Sequence, residues 1–146
     1  MRFHAPLDSV NPRTTILALY NLYVVYCLVW EIDVTLVEGW LLDLDQGSYE
    51  LSIAALELLQ EHGPQLGRPL ADSVKSSRHK NMKELRPGSK GRSEIRILYA
   101  FDVERSAILL VAGDKHGKWD KWYKENVPLA DDIFDENLWK LKGTTK

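Results

Sequence analysis

The first regular pattern in the chain is an alternation of apolar and polar residues from Trp30 to Val37, in a stretch rich in β-branched side chains. This pattern predicts a half-buried β-strand. Two helices are predicted next, one over about 38–45 and one that begins with a cap at Ser48 and ends at Gly63-Pro64. In the second helix, apolar residues recur every three or four positions, as expected when one face is buried.

Three short apolar stretches follow a polar segment, residues 64–81, which is predicted to be a loop. They are Met82–Arg86, Glu94–Phe101 and Ala107–Lys115, and each has the composition of a β-strand. The last two are apolar on both faces, which predicts central strands covered by helices on one face and by a partner or ligand on the other. A final amphipathic helix is predicted to begin near Pro128.

The predicted order β-α-α-β-β-β-α describes an α+β domain with a small, mostly antiparallel sheet and helices packed on one face. The chain has 146 residues, 45% of them apolar and 27% charged, which suffices for one core. The single Cys27 excludes an internal disulfide and a multi-cysteine metal site, and it indicates a reducing compartment, so a cytoplasmic location is expected. The four histidines show no zinc-ligand spacing, so no metal or other cofactor is expected.

Residues 1–29 precede these patterns and are predicted to form an apolar N-terminal extension of a domain that spans residues 30–146. The run from 16 to 30 is nearly uncharged, as in the core of a signal peptide or a short membrane anchor. It is shorter than the roughly 20 residues that span a bilayer, and no small-residue cleavage site follows before Glu31. We therefore favour an extra helix, or a start codon placed upstream of the true one, over export, and we expect no stable membrane association.

Charge is divided unevenly along the chain, although the net charge is only −2. Residues 75–124 contain 13 Lys and Arg against 6 Asp and Glu, whereas the rest of the chain contains 6 against 15. The basic part includes the three predicted strands after the helical hairpin. A sheet edged with cations is suited to binding a polyanion such as a nucleic acid.

Four sequence blocks in the basic part and after it resemble a known family. They are Lys83–Arg86, Arg96–Phe101, Ala107–Lys115 and Trp122–Asp131. In this order and strand context, they resemble the HigB-like branch of the RelE/ParE toxin superfamily, which includes a phage-derived Gp49-like group. The resemblance covers about residues 30–142.

The resemblance implies the toxin of a type II toxin–antitoxin system, an endoribonuclease that inhibits translation by cleaving mRNA on the ribosome. It also implies a helix-turn-helix, HigA-like antitoxin as partner. No metal is needed for this chemistry, because the 2′-OH of the RNA attacks the neighbouring phosphate. Two alternatives stay open: a ParE-like toxin that inhibits DNA gyrase without nuclease activity, and a phage-derived protein that retains only the fold.

Four residues are predicted to be catalytic, two of them, Arg96 and Lys115, from the resemblance. Arg96 matches a phosphate-binding arginine and is predicted to stabilise the transition state. Lys115 occupies a place where the best-known branch often has an arginine that acts as an acid, and His116 and Tyr123 are candidates for proton transfer or base stacking. The alternative for Arg96 is an ion pair with Asp or Glu. The catalytic interpretation requires Arg96, Lys115 and Tyr123 to converge within reach of one phosphate.

Further cations are predicted to bind the RNA. Lys83 and Arg86 match cations on the preceding strand, and Lys118 is a third candidate, although for Lys83 and Lys118 we favour solvated surface charges over a catalytic role. The aromatic residues Trp119 and Trp122 could either anchor the last helix or stack on a base. We interpret Asp131 and Asp132 as residues of the start of that helix and assign them no chemistry.

Overall fold

The computed structural model describes residues 2–3 and 30–144 of the chain. The strands are β1 Arg2–Phe3, β2 Glu31–Asp33, β3 Ala71–Ser73, β4 Lys83–Leu85, β5 Ile95–Phe101 and β6 Ser106–Asp114. The helices are α1 Glu38–Leu42, α2 Gln46–His62 and α3 Asp120–Thr144, and a 3₁₀ turn occupies Gly63–Gln65. The predicted α+β class is confirmed. Our predictions for the N-terminal extension concern residues that lie, apart from Arg2 and Phe3, outside the described ranges.

The strands form one mixed sheet in the order β1-β2-β6-β5-β4-β3. β2 and β6 run parallel, and the other neighbouring strands run antiparallel. The longest strands, β5 and β6, lie at the centre, as their apolar pattern predicts. In this central pair Arg96 lies opposite Gly113, and the register shifts between Leu98 and Tyr99.

Successive residues of a strand point to opposite faces, and both faces of this sheet are covered by helices. On one side, here called the α2 face, Ile97 and Tyr99 pack in a cluster with Leu56 and Leu59 of α2. The other side, the α3 face, has a second cluster: Met82, Leu98, Ala100, Ile108 and Leu110, with Trp122, Val127, Ala130 and Phe134 of α3. The helices therefore cover both faces rather than the one face expected, because α3 lies where a partner or ligand was predicted.

The polar segment 64–81 contains a strand that its sequence does not signal. β3 pairs with β4 so that Asp72 lies opposite Glu84, but it has only three residues and too little apolar alternation to be predicted. The second helix also begins earlier than expected, with Asp45 as its cap. The backbone N–H of Ser48 donates to the Asp45 carboxylate at 3.0 Å, and this bond holds the pKa of Asp45 below its usual value.

The last helix, α3, begins at Asp120 rather than near Pro128, which lies inside it. Trp122 and Val127 are buried and extend the apolar stripe of the helix upstream of the proline. This tertiary packing outweighs the helix break that a proline favours. No helix in the described ranges combines the length and the apolar character needed to cross a membrane.

Asp131 is therefore in the middle of α3, where it is 2% exposed, and it binds residues 74–79, the first part of the connection between β3 and β4. Its carboxylate accepts hydrogen bonds from the hydroxyl of Ser77 and, at 3.0 Å, from the backbone N–H of Arg78. The Arg78 guanidinium binds the carboxylates of Asp132 and Asp135 further along the helix. The interpretation of Asp131 and Asp132 as helix-start residues is wrong, because both attach the segment to the side of α3.

We expect Asp131→Ala to lower the free energy of unfolding by about 1–3 kcal/mol, because it leaves two partly buried donors without their acceptor. Urea denaturation of the full chain measures this change. The neighbouring Asp132→Ala is the control, since that exposed carboxylate should contribute less than about 0.5 kcal/mol. Equal losses in the two variants would contradict a specific role for the buried carboxylate.

Candidate functional site

Six charged or phenolic side chains meet on the α3 face, and we call them the Arg96 cluster: Glu84, Arg86, Glu94, Arg96, Lys115 and Tyr123. Alternation along the strands directs Glu84 of β4 and Arg96 of β5 to this face. Arg86 follows β4, and Glu94 precedes β5. Lys115 comes directly after β6, and Tyr123 lies in the first turn of α3.

Arg96 has a largely buried side chain, 13% exposed. Its Nη1 donates to the carbonyl of Ile95 at 2.8 Å, and its Nη2 lies 3.4 Å from a carboxylate oxygen of Glu94. Its Nε is 4.0 Å from Glu84 Oε2 and is buried without a hydrogen-bond partner within the described part of the chain. Arg96 thus forms the ion pairs of the alternative interpretation, and its Nε is one of four buried side-chain polar atoms without a hydrogen-bond partner in the described part of the chain.

Glu84 is the centre of the cluster, although the sequence analysis assigned it no role. The residue is 4% exposed. Its Oε1 accepts from Arg86 Nε at 2.8 Å and from Arg86 Nη2 at 2.5 Å, and its Oε2 accepts from the Tyr123 hydroxyl at 2.7 Å. Each carboxylate oxygen has two lone pairs, so Oε2 can accept one more hydrogen bond. A buried carboxylate therefore lies beside two arginines, with acceptor capacity remaining on its Oε2.

Burial, together with the hydrogen bond to Glu84, raises the pKa of the Tyr123 hydroxyl above its ordinary value. A nearby Arg96 opposes this shift without cancelling it. Tyr123 is thus a neutral hydrogen-bond donor throughout the physiological pH range. In this state, it fixes the position of Glu84 Oε2 next to Arg96.

Lys115 adds a second cation beside Arg96. Its Nζ lies 3.6 Å from Glu94 Oε2, the oxygen that Arg96 also approaches, and it is above the rings of Trp119 and Tyr123 at 5.3 and 5.4 Å from their centroids. Two cations therefore share one carboxylate, and the aromatic rings limit where the ammonium can move.

The start of α3 is positioned by Trp122, which packs flat against Gly113 of β6. A Cβ at Gly113 would lie 2.7 Å from Trp122 Nε1, so only glycine permits this contact. Trp122 is 3% exposed, which makes it an anchor of the helix rather than a residue free to stack on a base, whereas Trp119 is half exposed. Because Gly113 pairs with Arg96, the anchored helix presents Tyr123 directly above the arginine's strand.

The residues predicted to be catalytic thus largely converge. Arg96 and Lys115 approach the same Glu94 oxygen, and Arg96 and Tyr123 approach the same Glu84 oxygen. Among the predicted RNA-binding cations, Arg86 joins the cluster through Glu84.

The other predicted site residues lie at the margin of the cluster or away from it. His116 is exposed, its backbone N–H donates to Asp114, and its ring contacts Trp119 edge-on. Lys118 is exposed in the turn before α3, where its backbone N–H donates to the carbonyl of Lys115. Lys83 points to the α2 face, and its Nζ donates to the carbonyl of Pro64 at 2.7 Å, so the sheet separates it from Arg96.

Chemically, the Arg96 cluster combines Arg96 and Lys115, which can bind a phosphate, with the buried Glu84 carboxylate, which can accept a proton. Lys115 and Tyr123 also carry protons that they can donate. Among the described residues, no three His, Cys, Asp or Glu side chains lie close enough together to hold a metal ion. The arrangement is suited to acid–base chemistry at a phosphodiester.

Residues 39–135 match the family described as "Phage derived protein Gp49-like (DUF891)". The chain belongs to this family. All six residues of the Arg96 cluster lie within the matched range.

Two curated proteins of Mycobacterium tuberculosis are similar to this Gp49-like chain. One, named "Putative toxin HigB2", is 56% identical over 115 residues, which cover 79% of this chain and 57% of that protein. The other, named "Putative toxin HigB3", is 48% identical over 95 residues, covering 65% of this chain and 81% of that protein. No solved structure is significantly similar. The resemblance to HigB-like proteins predicted from the sequence is thus confirmed.

Proposed function

We propose that this chain is the toxin of a type II toxin–antitoxin pair and an endoribonuclease that cleaves mRNA on the ribosome without a metal. The observation that carries the proposal is the convergence of Arg96 with Tyr123 at the buried carboxylate of Glu84 and with Lys115 at the carboxylate of Glu94. A binding inhibitor has no need of such an arrangement, because burying a carboxylate and an arginine with an unsatisfied donor costs stability.

Two similar proteins named as HigB toxins support the biological setting. On this basis, the partner is a helix-turn-helix antitoxin of the HigA type, and the site of action is the cytoplasm, where translating ribosomes supply the mRNA. Arg86, Lys118 and His116 are on the same side as the cluster or at its margin and remain predicted contacts for RNA. Lys83 could contact RNA or ribosome only from the opposite side of the sheet.

The reaction begins when the ribose 2′-OH at the cleavage site loses its proton to Glu84 Oε2. The 2′-oxygen then forms a bond to the adjacent phosphorus, and the bond from phosphorus to the 5′-oxygen of the next nucleotide breaks. Tyr123 holds the carboxylate in place, since its hydroxyl donates to the same oxygen at 2.7 Å. The products are a 2′,3′-cyclic phosphate and a free 5′-OH, so the step consumes no water and no oxidant.

Arg96 stabilises the negative charge that develops on the phosphoryl oxygens, and its unsatisfied Nε is the donor available for that purpose. Lys115 donates a proton to the departing 5′-oxygen and regains one from solvent, and Glu84 releases to solvent the proton that it took from the 2′-OH. Glu94 holds both cations within one phosphate's reach before RNA binds. This preorganisation removes most of the cost of arranging charge at the moment of reaction.

Inducible expression in a bacterial host, followed by primer extension on cellular mRNA, tests this proposal. We expect growth arrest and new 5′ ends within translated reading frames. Lys121→Ala is the matched control, because Lys121 is an exposed cation of α3 whose ion pair is with Glu125, one turn along the same helix. This variant should cleave mRNA like the original chain. Growth arrest with intact mRNA and stalled DNA replication would instead favour the gyrase inhibitor, and the absence of any arrest would favour a protein that retains only the fold.

A further inference from the structure

A groove of about 550 Å³ lies beside the Arg96 cluster, between residues 73–76 and the first half of α3. Glu84 and Tyr123 belong both to the cluster and to the lining of this groove. The groove is therefore continuous with the place where the proposed reaction occurs, and we call it the α3 groove.

The α3 groove combines an apolar interior with cations at its edge. Val74, Val127 and Pro128 contribute apolar surface, and Val127 is almost fully buried. Lys75 and Lys124 also line the groove, as does Asp120, and all three are exposed. A flat aromatic base attached to a phosphate-bearing chain matches this combination, because its faces need apolar contact and its backbone needs positive charge.

The wall of the groove is fixed in advance. The segment 74–79 is held to α3 by the buried Asp131, which accepts from Ser77 and Arg78. His79 Nε2 adds a contact of 2.7 Å to Asp135, and its ring packs edge-on against Phe134. The width of the groove is thus set by the fold and does not depend on a ligand to open it.

We infer that the α3 groove binds the base of the nucleotide immediately upstream of the bond to be cleaved. This inference rests on the proposed function. The attacking 2′-OH belongs to the upstream nucleoside, and its proton goes to Glu84. With that ribose at Glu84, the groove that starts at Glu84 and Tyr123 is the adjoining space for its base. The groove would then give the toxin a sequence preference at that one position.

Titration with the four nucleoside 3′-monophosphates, monitored by NMR of the Val74 and Val127 methyl groups, tests the inference. We expect at least one nucleotide to shift both valines saturably with a Kd of about 1 mM or below. Inorganic phosphate is the control and should leave the valines unchanged. Ser76→Trp, a substitution at an exposed lining residue, should fill the groove and weaken nucleotide binding roughly 10-fold to 100-fold, the scale of one stacked base.

The same variant, checked for an unchanged melting temperature, should lose the preference for the upstream base in RNA cleavage while it still cleaves. Nucleotides that perturb Arg96 and Lys115 but leave the valines unchanged would overturn the groove inference and leave the catalytic proposal standing. An unaltered base preference in Ser76→Trp would also overturn the groove inference and leave the catalytic proposal standing. A chain that binds nucleotides in the groove but cleaves no RNA would overturn the catalytic proposal and retain the nucleotide site.

Discussion

Arg96→Ala is expected to lower the rate of mRNA cleavage by a factor of about 10² to 10³, the usual scale for removing one preorganised donor at a developing charge. The chain should stay folded, because the ion pairs of Arg96 are long, at 3.4 and 4.0 Å, and its short hydrogen bond, at 2.8 Å, is only to the carbonyl of the adjacent Ile95. Arg96→Lys should recover only part of the rate, since a point charge cannot make two directed contacts with phosphate oxygens. Single-turnover cleavage on purified, mRNA-programmed ribosomes measures all three rates.

Lys121→Ala controls for the loss of one positive charge and should cleave at the original rate. Raising the salt concentration separates binding from chemistry, because contacts that only hold the RNA weaken with salt. Cleavage by Arg96→Ala at the original rate would remove Arg96 from the mechanism. If Arg96→Ala unfolds while Arg96→Lys melts at the original temperature, the positive charge of Arg96 is needed for stability. The gyrase-binding alternative would then be favoured.

Glu84→Gln is expected to lower cleavage by about 10² to 10⁴, the range for removing a general base. Glutamine keeps the size of the side chain and an acceptor for the Tyr123 hydroxyl, but its amide cannot take a proton from the 2′-OH. It also leaves Arg86 and Arg96 without a buried counter-charge, so the melting temperature should fall.

Glu94→Gln is the matched control for this prediction. Glu94 also contacts Arg96 and Lys115, but its side chain is 36% exposed, and among the described residues no hydroxyl donates to it. We expect Glu94→Gln to lower cleavage less than about 10-fold, because Glu94 positions the two cations and exchanges no proton with the substrate. If the two variants lose the same activity, Glu84 acts only through the arginines it holds, and the base must be another group.

The sequence was most informative where charge interrupts an apolar pattern. β5 and β6 are continuous apolar runs, so their central position in the sheet could be predicted, and Arg96 within such a run pointed to a special use. Glu84 is also a buried charge in the structure, but the residues around it in the sequence do not indicate its burial. It stands between Lys83 and a nearby Arg86 in a strand of three residues, where an acidic side chain looks like one more solvated charge. Its burial depends on Tyr123, 39 residues away, which donates to it.

The start of the α3 helix also could not be predicted from the local sequence pattern. Its first turns are polar, so the sequence placed its start at Pro128, and only packing of Trp122 on Gly113 reveals that the helix begins at Asp120. Likewise, the contact of Asp131 with Ser77 joins residues 54 positions apart, and a polar loop carries no periodic signal of it. Helix α3 thus places Tyr123 and one wall of the groove, and neither could be derived from local pattern alone.

The chemical identity of the RNA ends tests the central claim most directly. The purified chain would be mixed with programmed ribosomes, and both fragments of the labelled mRNA would be analysed for their terminal groups. Attack by the 2′-OH with Glu84 as base predicts a 2′,3′-cyclic phosphate on the upstream fragment and a 5′-OH on the downstream fragment, both strongly reduced by Arg96→Ala. A 5′-phosphate on the downstream fragment, or cleavage unaffected by Arg96→Ala, would contradict the account.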